Sequence, residues 1–208
     1  MKNIEVKKLE IETNMPGLTT NTYIAYDIKS KEAFVIDPAE DAKLISDVIN
    51  ENKLELKYII YTHCHADHIA AIKELKKIYP DSKILGSKIE SENINNSHIT
   101  QESGFEIKLG EFTTDIKVEE DDEIILGKTK FRIILTPGHT SGSMSIYSEE
   151  EKIVFTGDTL FVRGYGRTDL PTGDIYELYV SLRKLLDLPV ETKVYPGHGN
   201  GGKIADCK

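Results

Sequence analysis

The chain has 208 residues, of which 39% are hydrophobic and 29% are charged, and it contains 15 glycines and 7 prolines. This length is enough to bury a core, and the composition excludes collagen-like, mucin-like and largely disordered proteins. The 26 Lys and Arg residues are outnumbered by 35 Asp and Glu residues, and the net charge of −9 repels phosphate backbones. We therefore expect one domain over residues 1–208 without a nucleic-acid partner.

The sequence contains no signal for membrane insertion or export. No apolar run approaches the roughly 20 residues that cross a bilayer, and the N-terminal MKNIEVKKLE has neither an apolar stretch nor a cleavage site. The two cysteines, Cys64 and Cys207, are far apart in the chain, so no disulfide framework is expected. The sequence predicts a soluble cytoplasmic protein without a membrane partner, and it leaves the oligomeric state open.

Strands and helices alternate in the first third of the chain. Strands are predicted at 21–27, 32–37 and 56–62. Apolar residues at helical spacing predict a helix over 39–53, and a second helix is predicted from just after His68 to the residue before Pro80.

The middle of the chain differs from the segments on either side. Residues 87–121 are polar and weakly periodic, which predicts a surface excursion that carries no chemistry. Further strands are predicted at 123–126, 130–136, 143–148, 152–157 and 193–196, with a last helix at 174–188. This order predicts an α/β fold in which two stacked sheets lie between outer helices, an αββα four-layer sandwich.

Three of the six histidines fall within the stretch HCHADH, which begins where the strand at 56–62 ends. His63 and His65 are two residues apart in an extended segment, so they point to the same side and can share a metal ion. Asp67 and His68 follow after the chain turns and can face a second position close by. Alternation turns Cys64 away from the metal, and we expect it to be a packing residue.

In three more segments, a histidine or aspartate that could bind a metal comes just after an apolar strand. They are TPGH, which ends at His139, TGD, which ends at Asp158, and PGHG, which contains His198. Proline and glycine let the backbone turn sharply, so these side chains are expected to meet in one cleft at the sheet edge. The pattern predicts a zinc or iron site with nitrogen and oxygen ligands. His98, in the polar excursion, is expected to be an ordinary surface residue.

HCHADH, followed in order by TPGHT, FTGDTL and YPGHG, resembles the metallo-β-lactamase superfamily over about residues 20–199. The resemblance implies the four-layer αββα sandwich of that superfamily. It also implies a first metal held by His63, His65 and His139, a second held by Asp67, His68 and His198, and a bridge between them from Asp158.

The stretch FTGDTLFVRGYGRTDLPTGD at 155–174 resembles glyoxalase II-like thioester hydrolases. The resemblance implies two Zn²⁺ ions per chain, a metal-bridging hydroxide as nucleophile, a small thiol conjugate as substrate, and Asp67 as a catalytic residue that orients the nucleophile. Fe²⁺ and Mn²⁺ also accept these ligands. Arg167, and after it Tyr165, are the candidate substrate-binding residues, and an ordinary surface ion pair is the alternative role for Arg167.

Two other functions fit parts of the sequence. THCHADH and RGYGRTD also resemble persulfide dioxygenases, which would hold one Fe²⁺ through His63, His139 and Asp158, whereas YPGHGN resembles the hydrolases more. A non-catalytic metal-binding module is the third possibility. Antibiotic-hydrolysing members resemble the chain less, because they often have a cysteine where Asp158 stands.

Residues beside the candidate ligands have less distinctive signals. Asp37 ends a predicted strand just before Pro38, so it either supports the site or caps the following helix. Several threonines flank the ligands, and most are expected to be there for strand propensity alone; they are Thr62, Thr136, Thr140, Thr156 and Thr159.

Overall fold

Two six-stranded sheets form the centre of the protein in a computed structural model that describes residues 2–207. The first sheet contains, in spatial order, β1 (Ile4–Glu12), β2 (Thr19–Asp27), β3 (Glu32–Ile36), β4 (Glu55–Ile60), β5 (Lys83–Ser87) and β6 (Ile116–Val118). The second contains β7 (Glu123–Leu126), β8 (Thr129–Leu135), β9 (Met144–Ser148), β10 (Ile153–Gly157), β13 (Lys193–Pro196) and β14 (Gly202–Lys203). Between β10 and β13, a separate small hairpin is formed by β11 (Leu160–Phe161) and β12 (Gly164–Tyr165).

Both sheets mix strand directions. The strands from β3 to β6 run parallel to one another, whereas β1 and β2 form antiparallel pairs at one edge. The second sheet has the order β14-β13-β10-β9-β8-β7, and β10 and β13 are its parallel pair. Parallel neighbours end at the same edge of a sheet, which gathers the loops that follow them.

Six α-helices complete the fold: α1 (Ala42–Glu51), α2 (Ala66–Ile69), α3 (Ile72–Ile78), α4 (Lys88–Asn93), α5 (Glu102–Phe105) and α6 (Ile175–Leu186). Aspartates begin the two long helices, because Asp41 accepts a hydrogen bond from the backbone of Leu44 and Asp174 accepts one from that of Glu177. No helix within residues 2–207 has the length and apolar character needed to span a membrane.

Three apolar clusters define four layers. Between the sheets, Phe34 packs edge-on against Phe131, with ring centroids 4.9 Å apart. A second cluster joins the outer face of the first sheet to α1 and α3, and a third joins the second sheet to α6 through residues such as Leu182 and Val194. These layers confirm the predicted αββα sandwich.

The strands predicted from the sequence match the observed strands to within two residues at each end. The helix expected after His68 instead begins at Ala66, and it is interrupted before Ile72 because the backbone N–H of Ala71 donates to Pro38. The sequence pattern did not predict β1, an edge strand in which buried and exposed side chains alternate imperfectly, or the short β5.

The expectation of a surface excursion at residues 87–121 is wrong in part, although most of these residues are exposed or partly exposed. This segment contributes β6 to the first sheet, and Ser87, Glu90 and Thr100 within it are fully or almost fully buried. Ser87 and Glu90 can be buried because they have hydrogen-bond partners in distant parts of the chain; Ser87 Oγ, for example, donates to Gly142 O at 2.6 Å. Part of the segment also lines the cleft described below, so it is not remote from the candidate chemistry.

Candidate metal centre

The seven candidate ligands lie together at the edge where four strands end. His63 and His65 lie in the loop after β4, Asp67 and His68 lie in α2 directly after it, and the other three ligands follow β8, β10 and β13: His139, Asp158 and His198. Pairing of Gly157 with Pro196 in the parallel strands places Asp158 beside the His198 turn. His98 lies exposed on the surface, as expected.

Three histidines form a first group, called here the first triad. Ligand atoms of His63, His65 and His139 all lie within 4.8 Å of one another, and all three side chains are buried. His65 Nδ1 lies 3.0 Å from His139 Nε2. Imidazoles packed this closely suit one cation that accepts a lone pair from each ring.

Asp67, His68 and His198 form the second triad. His68 Nε2 lies 3.3 Å from His198 Nε2 and 3.4 Å from Asp67 Oδ2. Asp158 lies between the triads, because its Oδ2 is 3.1 Å from His198 Nε2 and 3.8 Å from His139 Nε2. The structure therefore places one carboxylate within reach of two ligand groups.

Hydrogen bonds orient three of the imidazole rings through their Nδ1 atoms. His139 Nδ1 bonds to the backbone oxygen of Arg167 at 2.7 Å, and His198 Nδ1 bonds to that of Thr19 at 2.7 Å. His68 Nδ1 lies 3.1 Å from Asp37 Oδ2. A ring whose Nδ1 is hydrogen-bonded presents Nε2 as its free ligand atom.

Asp37 supports the site and does not cap the following helix, whose capping residue is Asp41. Its carboxylate accepts from the backbone N–H of Thr62 at 2.7 Å and from the Thr62 hydroxyl at 2.8 Å, in addition to its contact with His68. Asp37, His63 and His68 also lie close enough to hold an ion. The donors of Thr62 and His68 already occupy both oxygens of Asp37. We therefore assign Asp37 a role in supporting the ligands and do not count it as a ligand itself.

Buried ligand atoms without partners show that the donor set fits metal ions. His63 Nε2, His65 Nε2 and Asp158 Oδ1 are buried and have no hydrogen-bond partner in the part of the chain that the structure describes. Buried polar atoms are nearly always satisfied. His65 faces His139 Nε2 through its Nδ1, at 3.0 Å, so the unpartnered atoms of the ligand cluster itself are His63 Nε2 and Asp158 Oδ1. Divalent cations would satisfy them, and nitrogen and carboxylate donors suit zinc, iron and manganese.

Burial sets the protonation of His63 and His65 in the first triad. It lowers the pKa of His63 well below its usual range and that of His65 to about 3, and neighbouring imidazoles act in the same direction. Both rings are therefore neutral at pH 7, with lone pairs free to bind a cation.

In the second triad, the pKa values of the histidines are raised instead of lowered. Burial lowers the pKa of His68, but the carboxylates of Asp67, Asp158 and Asp37 outweigh it and raise this pKa to about 10. The pKa of His198 is also raised, because Asp158 outweighs burial there. Without metal, the second triad thus holds protons that a cation must displace.

Glycine at position 197 is required by the packing around Asp158. A Cβ there would overlap Asp158 Oδ1 and approach His68 Cε1 to 2.7 Å. We expect Gly197→Ala to cost about 1–3 kcal/mol of stability, the usual cost of overpacking. Thermal denaturation measures this cost, and Gly104→Ala, which meets nothing within 4 Å, should be nearly neutral. Equal stability of the two variants would contradict the predicted overlap.

A cleft of about 400 Å³ opens over the ligand cluster. Of the two candidate substrate-binding residues, Arg167 lines this cleft, whereas Tyr165 is not among its lining residues within 2–207. The Tyr165 side chain is half exposed and contacts Tyr179 of α6, with ring centroids 6.2 Å apart. Its role in substrate binding stays a prediction.

Glu90 supports the site, although the sequence alone did not predict a role for it. It is 0% exposed, and its carboxyl oxygens accept from the backbone N–H of Cys64 at 2.8 Å, the Thr140 hydroxyl at 2.8 Å and the backbone N–H of Gly142 at 2.9 Å. It therefore joins the loop of His63 and His65 to the turn that follows His139. In the sequence, Glu90 stands out only as the glutamate three residues after Ser87, a spacing typical of a helix N-terminus such as that of α4.

The threonines and Cys64 have mostly structural roles. Thr62 contacts both Asp37 and His63 Nδ1, the latter at 3.1 Å, and Thr140 contacts Glu90. Cys64 is buried in the apolar cluster beneath the site, as alternation predicted. The hydroxyls of Thr136, Thr156 and Thr159 bond to neighbouring protein groups other than the candidate ligands.

Residues 15–198 match the family model described as the metallo-beta-lactamase superfamily. The chain belongs to this superfamily. The hydroxyacylglutathione hydrolase of Francisella tularensis subsp. novicida (strain U112) is 37% identical over 182 residues, which are 88% of this chain and 64% of that relative. The chain thus spans less than two thirds of the relative's length, and the comparison confirms the glyoxalase II-like resemblance.

Solved structures of other superfamily members share the fold closely. The BLEG-1 B3 metallo-β-lactamase has a TM-score of 0.86 and 29% identity, and the match covers 97% of this chain and 95% of that one. ETHE1 from Myxococcus xanthus has a TM-score of 0.78 and 32% identity, with 97% and 80% of the two chains covered. Because members with different names share this fold, the substrate must be argued from the site.

Proposed function

We propose that this chain is a metal-dependent hydrolase that cleaves thioesters of small thiols at a two-metal site within one domain, residues 1–208. The observation that carries this proposal is the pairing of the two triads across Asp158, with His63 Nε2 and Asp158 Oδ1 buried and without protein partners among the described residues. The similarity to a hydroxyacylglutathione hydrolase supports the thioester as substrate. Zn²⁺ is the proposed metal, and Fe²⁺ or Mn²⁺ would fit the same donors.

The two triads supply the proposed ligand sets. The first triad would hold one ion through three imidazoles, and the second would hold another through two imidazoles and the Asp67 carboxylate. Asp158 would bridge them, since it faces His139 on one side and His198 on the other.

Divalent ions at such a site polarise a carbonyl group and lower the pKa of water from 15.7 to about 7. Asp67 is the proposed catalytic residue, because it lies on the cleft floor with Oδ2 fixed by the Thr20 hydroxyl at 2.8 Å. It would orient the attacking water and accept its hydrogen bond. A thiolate leaves readily at neutral pH, so the residues described here need not include a separate acid.

A mononuclear iron persulfide dioxygenase is the second candidate function, favoured by the RGYGRTD stretch. It would use His63, His139 and Asp158 as its ligands. The second triad argues for the hydrolase, because a site for a single ion would leave Asp67, His68 and His198 gathered without a role.

Metal content and two activity assays separate these functions. We expect protein purified without added metal to contain about two ions per chain, and the same sample to hydrolyse thioesters. One iron per chain together with oxygen consumption on a persulfide would establish the second candidate instead. The hydrolysis assay should include a β-lactam, since a B3 metallo-β-lactamase shares the fold.

Metal binding at the second triad should depend on pH. His68, with a pKa of about 10 in the metal-free protein, is protonated at pH 7, so a cation must displace that proton. We expect metal binding at this triad to release at least one proton, and its affinity to rise about tenfold per pH unit from pH 7 to 9. Calorimetry in buffers of different ionisation enthalpy measures the release. Binding without proton release would contradict the prediction.

A further inference from the structure

Outside the ligand cluster, the walls of the cleft are mostly apolar, and Gln101 and Arg167 are their polar side chains within residues 2–207. The apolar walls come from four parts of the chain: the turn between β1 and β2, α5, β11 and the loop before α6. The apolar side chains are Met15, Leu18, Phe105, Phe161 and Leu170. Phe105 also packs against the buried core, so at least one wall is fixed in place.

Arg167 is the one Lys or Arg that lines the cleft within residues 2–207. Its Nε and Nη2 donate to the two oxygens of Asp169, at 2.6 and 2.7 Å. This two-point contact holds the pKa of Asp169 at about 2, so the pair keeps both charges at neutral pH. The cleft therefore presents a neutralised ion pair instead of a free cation.

We infer that the cleft takes thioesters whose flanking groups are apolar and uncharged, and that the Arg167–Asp169 pair disfavours substrates with several carboxylates, such as glutathione conjugates. Apolar walls favour methylene groups, whereas a carboxylate that enters them loses water without gaining an unpaired cation. This inference rests on the proposed thioesterase function and assigns its substrate class.

Turnover provides the first test. N-acetylcysteamine is an uncharged thiol, so its acetyl, butanoyl and hexanoyl thioesters can be compared with the same acyl groups on glutathione. We expect kcat/KM to rise about fourfold per methylene and to favour the uncharged thiol at least tenfold, about the effect of one poorly compensated carboxylate. A preference for the glutathione series, or no effect of chain length, would overturn the inference.

Binding provides a readout that does not need hydrolysis. S-hexyl-N-acetylcysteamine and S-hexylglutathione are thioethers that the protein cannot cleave, and calorimetry gives their Kd values. Tighter binding of the uncharged thioether without turnover of any thioester would reject the proposed hydrolase and keep the ligand class. Turnover together with tighter binding of S-hexylglutathione would reject the ligand class alone.

Asp169→Asn tests the ion pair directly, because it frees the Arg167 charge. We expect this variant to shift the ratio of Kd values toward S-hexylglutathione by about two- to fivefold, the range of an exposed ion pair. Asp121→Asn is the matched control, since it frees Arg132 from an ion pair whose residues do not line the cleft. An unchanged ratio in Asp169→Asn, or an equal shift in the control, would show that the pair does not select the substrate.

Discussion

Replacing Asp158 with alanine is expected to lower thioesterase kcat/KM by about 10³-fold and to reduce bound metal from about two ions per chain to one or none. The carboxylate faces both triads, at 3.1 Å from His198 Nε2 and 3.8 Å from His139 Nε2, so its loss removes a ligand from both proposed ions. Its pKa lies well below the usual range, because His198 and His68 outweigh the opposing effect of burial. Asp158 is therefore ionised at neutral pH.

Elemental analysis and kinetics on the same sample measure both effects. Asp47→Ala removes an exposed aspartate of α1 and should leave both quantities unchanged. Circular dichroism checks that the Asp158 variant is folded, and metal-supplemented assays separate weak binding from lost chemistry. An Asp158→Ala protein that keeps two ions and normal kcat/KM would contradict the bridging role.

The sequence was sufficient to predict the strands that precede the ligands and the gathering of the ligands, but not β1, β5 and β6 of the first sheet. Strand periodicity identified β4, β8, β10 and β13, and a histidine or aspartate follows each of them in or beside a turn. The meeting of these side chains at one edge of the sheets could therefore be inferred. Such reasoning works because both signals are local. It is weaker for Arg167, whose place at the cleft was predicted, but whose pairing with Asp169 is seen only in three dimensions.

The segment 87–121 was misread for a physical reason. Periodicity detects burial through apolar residues, but Glu90 and Thr100 are polar and 0% exposed. The partners of the Glu90 carboxylate lie far away in sequence, since it bonds to Cys64, 26 positions away, and to Gly142, 52 positions away. A single sequence gives no local signal for such pairs, so polarity alone predicted a surface segment.

Replacing Glu90 with glutamine should destabilise the protein and loosen both ligand loops. Oε2 accepts from the Cys64 N–H, and Oε1 accepts from the Gly142 N–H, so an amide NH₂ at either position faces a backbone donor. One buried N–H is then left without an acceptor, which costs about 1–3 kcal/mol. For a chain of this size that corresponds to a decrease in Tm of about 2–12 °C.

Metal affinity is the readout that separates positioning from simple stability. Glu90 bonds to the chain on either side of the first triad, through Cys64 between His63 and His65 and through Thr140 directly after His139. Residues that orient ligands typically contribute about 10- to 100-fold to metal affinity, so we expect a loss of that size in Glu90→Gln well below its Tm. Glu92→Gln, on the exposed side of α4, is the matched control. A lower Tm with unchanged metal affinity would reduce Glu90 to a stabilising residue. The close approach of Gly142, where a Cβ would lie 2.7 Å from Glu90 N, argues for a contact that also sets the position of the His139 turn.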